Sequence, residues 1–103
     1  MELLTDEIRK QIPRIYTQDE APDAIAYVKF FTTGSNWTWY ATEFDGQDTF
    51  FGLVKGFEEE LGYFSLQELT EGSASLGLII ERDLNFQPTP LSQLRGKDAY
   101  AFQ

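Results

Sequence analysis

Between Tyr27 and Phe64 the chain places twelve of its sixteen aromatic residues. Eleven of them fall in three runs, IAYVKFFT (25–32), WTWYATEF (37–44) and TFFGLVK (49–55), and in a fourth short run opening at Tyr63-Phe64. Runs of seven or eight residues dominated by aromatic and β-branched side chains, and separated by Gly, Ser and Asp, are the signature of successive strands. Rings on neighbouring strands pack as cross-strand pairs, each worth a few tenths to about 1 kcal/mol. This density therefore demands an antiparallel sheet, and makes the opening question whether the SNWTWYATEFDG segment (35–46) is core or binding surface. On a strand over 37–44, period-two alternation puts Trp37, Trp39, Ala41 and Glu43 on one face. Thr38, Tyr40, Thr42 and Phe44 take the other. Neither face is purely polar, so this strand is expected at the centre of the sheet. At least one of Trp39 and Tyr40 should be nearly buried.

The remaining elements are short. LTDEIRKQI (4–12) repeats Leu4, Ile8 and Ile12 on one face, has Thr5 as a cap, and ends at Pro13, which predicts a helix. YTQDEAPD (16–23) reads as a polar loop. Asp45-Gly46-Gln47-Asp48 is a turn, and residues 49–55 are its hairpin partner. Gly56–Gly62 reads as the next turn. Ser65-Leu66-Gln67-Glu68 matches a capping box opening a short helix, which Gly72 and Ser73 should break. A strand is expected around LGLII (76–80), a further extended piece over DLNF (83–86), and a last helical turn capped at Thr89-Pro90 and running through Leu94. With 103 residues the chain fits one domain, residues 1–103, with 96–103 as a tail. The expected fold is α+β, a mainly antiparallel sheet of four to five strands with short helices packed on one face.

Absences narrow the chemistry. There is neither cysteine nor histidine, so disulfides, thiolate metal sites and thiol nucleophiles are excluded, as is the usual general base. A metal would have oxygen ligands, hence magnesium, manganese or calcium. MELLTDEIRK lacks a basic n-region and an apolar h-region, and no stretch approaches the roughly 20 apolar residues of a membrane span. The expectation is a soluble cytoplasmic protein. The net charge of −9 is uneven: residues 43–71 carry eight acids against Lys55 alone. That argues against direct nucleic-acid binding, which neutralises phosphates with Lys and Arg. It suits a monomer or weak dimer, a basic protein partner, or mimicry of a polyanion.

The runs YVKFFTTGSNWTWYATEFDG, FFGLVKGFEEELGYFSLQEL and GLIIERDLNFQPTPL resemble the domain of unknown function 2958 family, with WTWYATEFDG and ELGYFSL as the specific words. The resemblance extends from ELLTDEIRKQIP through TPLSQL. It implies small bacterial proteins of plasmids, phages and integrating elements, and it brings no catalytic residues to carry over.

Three constellations remain to be weighed. Glu43, Asp45 and Asp48 are metal candidates: two carboxylates about 7 Å apart along a strand, with a third folding back across the turn, could hold a hard divalent ion and activate water. An ordinary Asp-Gly turn explains the same residues. Glu81, Arg82 and Asp83 read either as a carboxylate with its charge partner or as a surface ion pair, and Lys29 is the one other base that burial could tune. The acids Glu43, Asp45, Asp48, Glu58, Glu59, Glu60, Glu68 and Glu71 form a belt that serves solubility or meets a partner. The binding candidates are Trp37, Trp39, Tyr40, Glu58, Glu59 and Glu60. The reading that follows is a non-enzymatic binding or accessory protein acting on a protein partner, with no cofactor. Its rival is a divalent-metal-dependent enzyme on nucleic acid built from Glu43, Asp45 and Asp48.

Overall fold

The structure, a computed structural model, describes residues 2–18, 21–75 and 79–96. Helix α1 spans Asp6–Gln11. Thr5 Oγ1 accepts the Ile8 amide at 3.3 Å, Asp6 and Glu7 lie at the positive end of the helix dipole, and Arg9 and Lys10 lie at the other. Seven strands follow: β1 (Ile25–Ala26), β2 (Val28–Thr32), β3 (Thr38–Phe44), β4 (Thr49–Lys55), β5 (Glu59–Ser65), β6 (Ile80–Arg82) and β7 (Thr89–Pro90), with helix α2 (Leu66–Ser75) between β5 and β6 and a 3₁₀ turn at Leu91–Gln93. Five strands form one antiparallel sheet in the order β5-β4-β3-β2-β6, and β1 pairs with β7 in a separate two-stranded ribbon. The expected α+β class with an antiparallel sheet is what forms, with β3 at its centre.

Each face of the sheet carries its own apolar cluster. On one, Val28, Phe30, Ala41, Phe44, Phe50 and Phe64 are covered by Leu3, Leu4 and Ile12 around α1 and by Leu69 of α2. On the other, Tyr40 and Leu53 are covered by Leu91 and Leu94 of the 3₁₀ turn. Two helices therefore pack on one face as expected, and the last helical turn packs on the opposite one.

The alternation expected along β3 breaks. Ala41 pairs with Gly52, but Glu43 pairs with Phe51, so Thr42 is an extra residue and forms a β-bulge. Its hydroxyl donates to Phe51 O at 3.0 Å. The bulge returns Phe44 to the face of Trp39 and Ala41 and turns Glu43 onto the face of Tyr40. The neighbouring loop is fitted to this irregularity by Gln18. The Gln18 side-chain amide donates to Ile25 O (3.1 Å) and Thr42 O (2.8 Å) and accepts from Ile25 N (2.7 Å), standing in for a strand neighbour.

Other boundaries are corrected too. The 56–62 turn is only Gly56–Glu58, because Glu59–Ser65 pairs with β4 along its whole length. The capping box holds, with Ser65 Oγ accepting Glu68 N at 2.8 Å. Gly72 and Ser73 do not end the helix, which continues to Ser75. Residues 83–86 form a turn, where Phe86 N donates to Asp83 O at 3.3 Å, and not an extended piece. Thr89-Pro90 is a strand whose proline ends the ribbon before the 3₁₀ turn, and its proline has no side-chain cap. Of the strand expected over 76–80, residues 76–78 lie outside the described residues, as does 97–103 of the tail.

Candidate functional site

The metal candidates do not converge. Glu43 is buried, and Oε2 accepts the Gln18 amide at 2.5 Å. Asp45 Oδ1 accepts three amides, those of Gln47 and Asp48 at 2.8 Å and Thr49 at 3.1 Å, which closes the turn where Gly46 takes a φ of 92°. These bonds, the Gln47 amide first and the Asp48 amide next, hold the Asp45 carboxyl below its ordinary value of 3.8. Asp48 Oδ1 accepts the Gln67 amide at 2.8 Å and so caps α2. Among the described residues no group of three acidic side chains is arranged to hold a metal ion.

A carboxyl whose folded value is depressed contributes stability above its unfolded value and loses it as pH falls through the folded one. Asp45→Asn is therefore expected to have a lower melting temperature than the wild type at pH 5, and the gap should close as the pH falls below the ordinary carboxyl value of 3.8. Asp45 is only half-buried, so solvent screening keeps the gap small. Melting curves of both proteins across that range check this. A gap that stays constant would mean the charge of Asp45 does nothing in the turn.

Glu81, Arg82 and Asp83 serve the architecture. Glu81 and Arg82 pair with Phe31 and Phe30, Arg82 Nη1 donates to Glu2 O at 2.6 Å, and Asp83 Oδ2 lies 3.8 Å from Lys29 Nζ. Lys29 in turn sits over the rings of Phe31 and Tyr40 at 5.9 and 5.8 Å.

The binding candidates divide between the two faces. Tyr40 is buried, with Lys29 and Lys55 each 5.8 Å from its ring centre. Glu59 faces the same way, 3.5 Å from Lys55 Nζ, and accepts the Gly96 amide at 2.7 Å. Lys55 is buried and donates to Leu94 O, so this group locks the 3₁₀ turn onto the sheet.

Trp37, Trp39, Glu58 and Glu60 gather elsewhere, at the tip of the β4–β5 hairpin. Trp37 stacks on Trp39 at 5.9 Å, and Phe57 stands edge-on against Trp37 at 5.7 Å. Trp37, Phe57, Glu58 and Glu60 line a recess of about 260 Å³ with Val54. Gly56 makes this possible: a Cβ there would lie 2.4 Å from the Trp37 ring. Phe57 is 97% exposed, an extreme for a phenylalanine. The sequence reading passed over it, although an aromatic set between a turn glycine and three acids is a signal that apolar burial alone does not explain.

The acidic belt also divides in space. Asp45 and Asp48 lie at one end of β4 and Glu58 at the other, a seven-residue strand or roughly 20 Å apart.

A family model described as Protein of unknown function (DUF2958) matches residues 3–97. No curated protein and no solved structure matches the chain.

Proposed function

The chain belongs to the DUF2958 family, whose description assigns no chemistry, and from that premise we propose that it is a non-enzymatic binding protein, an accessory of mobile elements, that engages a basic protein partner through the Trp37–Phe57–Glu58–Glu60 hairpin tip. The observation that carries this reading is Phe57, an aromatic ring held out in water on a stacked tryptophan pair and flanked by carboxylates. Aromatic rings that are positioned before binding cost little conformational entropy to engage, and they dominate interface energetics. A lysine or arginine laid across the Trp37 or Phe57 ring would meet attraction from the ring face and from Glu58 and Glu60 together. Electrostatic attraction of this kind speeds capture, and it fades as the Debye length falls from about 10 Å at 0.1 M salt to about 3 Å at 1 M.

The test uses Phe57→Ala and the double variant Glu58→Gln/Glu60→Gln. Glu59 is left intact because it holds Lys55 and Gly96. Both variants should melt within a few degrees of the wild type, since the substituted side chains are exposed. In pull-downs from host lysate at 0.1 M salt, both should lose the partner that the wild type retains, and the wild type should lose it at 1 M. An identical, salt-independent set of partners from all three proteins would end this reading. The metal-dependent alternative has no comparable support, because its three carboxylates are each engaged by separate backbone amides.

A further inference from the structure

On the other face of the sheet, at the end away from the hairpin tip, lies a cleft of about 480 Å³ whose lining includes Glu43, Phe51, Leu61, Leu91, Asp23 and Arg95. Glu43 is its unusual member. The residue is 2% exposed, and burying a carboxylate is unfavourable unless hydrogen bonds or a cation compensate. Compensation here is incomplete. Among the described residues the Gln18 backbone amide to Oε2 is its only hydrogen bond, and no cation lies within ion-pair distance. Among those residues the single fully enclosed side-chain polar atom without a partner is Arg9 Nε. The second Glu43 oxygen is therefore reached from the cleft.

Two features keep this carboxylate in place. The bulge at Thr42 aims it onto this face, and the Gln18 amide fixes one oxygen. Asp23 is occupied by its bonds to Ser92, from the hydroxyl at 2.5 Å and the amide at 3.0 Å, which hold its carboxyl below the ordinary value. Phe51, Leu61 and Leu91 give the cleft its apolar wall, beside the polar Thr42 and Ser92. A fixed, half-satisfied carboxylate in a cleft that also carries Phe51, Leu61 and Leu91 fits one kind of ligand, a cationic head on an aliphatic stem. We propose that this cleft is a binding site for an alkylguanidinium or alkylammonium group, the head on Glu43 and the stem on Phe51, Leu61 and Leu91. This inference does not depend on the hairpin tip, which lies at the other end of the sheet.

The ligand chemistry has two sources, a free small amine or guanidine and a basic side chain of a protein. Nuclear magnetic resonance titrations with n-butylguanidinium and with N-acetyl-arginine-N-methylamide separate them. Both should saturate in the millimolar range with shifts at the Glu43 carboxyl carbon and the Gln18 amide, and unsubstituted guanidinium should bind roughly tenfold more weakly for want of a stem. Tighter binding of the arginine amide points to a protein side chain, and tighter binding of butylguanidinium to a free ligand. In Glu43→Gln the side-chain oxygen still accepts the Gln18 amide and the charge is gone, so affinity should fall about tenfold or more. Arg95→Gln removes the cleft's own cation and should raise affinity several-fold. Shifts on the wild type that map to Glu58 and Glu60, that fail to saturate, or that persist unchanged in Glu43→Gln overturn the proposal. The wild-type map decides even if Glu43→Gln does not fold.

Discussion

Phe50→Ala is expected to lower the melting temperature by about 15–30 °C. Phe50 is fully buried on β4, and its ring is the hub of the larger core. It stacks on Phe44 at 4.5 Å and on Phe64 at 5.2 Å, and meets Phe30 edge-on at 5.5 Å. These rings come from four strands, so truncation removes contacts that join β2, β3, β4 and β5 at one point. Phe→Ala in a core costs about 3–5 kcal/mol, from lost transfer energy and from the cavity left behind. A domain of this size has only about 5–15 kcal/mol in total. Thermal and urea unfolding followed by circular dichroism measure the loss. A drop of less than about 5 °C would mean that the three neighbouring rings collapse into the space.

Gly52→Ala should be as damaging by the opposite route. Gly52 pairs with Ala41 beside the bulge, and a Cβ there would lie 1.8 Å from Tyr40 O and 2.9 Å from Tyr40 C. Both obstacles are backbone of the central strand, so no side-chain rotation relieves them. Either β3 and β4 separate locally, which breaks their ladder, or the bulge moves. Strain of this kind costs on the order of 3 kcal/mol or more. Gly62 supplies the control. It is Gly52's own partner on β5, yet a Cβ there meets nothing within 4 Å. Gly62→Ala should be neutral or stabilising by up to about 1 kcal/mol. Equal effects of the two alanines would show that glycine flexibility, and not close approach, is the reason for Gly52.

What could be read in advance, and what could not, divides by range. Thr5 as a cap, the Ser65–Glu68 box and the strand over 49–55 depend on neighbours within about four residues, and all three form as the sequence suggests. The bulge at Thr42 depends on Phe51 and Gln18, which are distant in sequence, and nothing in WTWYATEF distinguishes a bulged strand from a straight one. Strand β5 begins four residues earlier than its own composition suggests, because pairing with β4 overrides the low strand preference of Glu59 and Glu60. Trp37, Glu58 and Glu60 were legible as candidates by residue type. Their convergence was not, since it needs the β2–β3 and β4–β5 connections at the same end of the sheet. Phe57 was hidden by the assumption that aromatic residues go inward.

The order of the strands also bears on how quickly the fold can be reached. Strands β2, β3, β4 and β5 are each bonded to the next along the chain, so most of the sheet closes through loops of only a few residues, and short loops cost little entropy to close. The two distant closures, β6 onto β2 and β7 onto β1, involve the shortest strands. A chain emerging from the ribosome would have the four long strands and their aromatic hub in hand as soon as Ser65 is clear. The elements that follow Ser65, α2, β6, β7 and the 3₁₀ turn, would then dock onto a sheet that already exists, with Leu91 and Leu94 covering Tyr40 and Leu53.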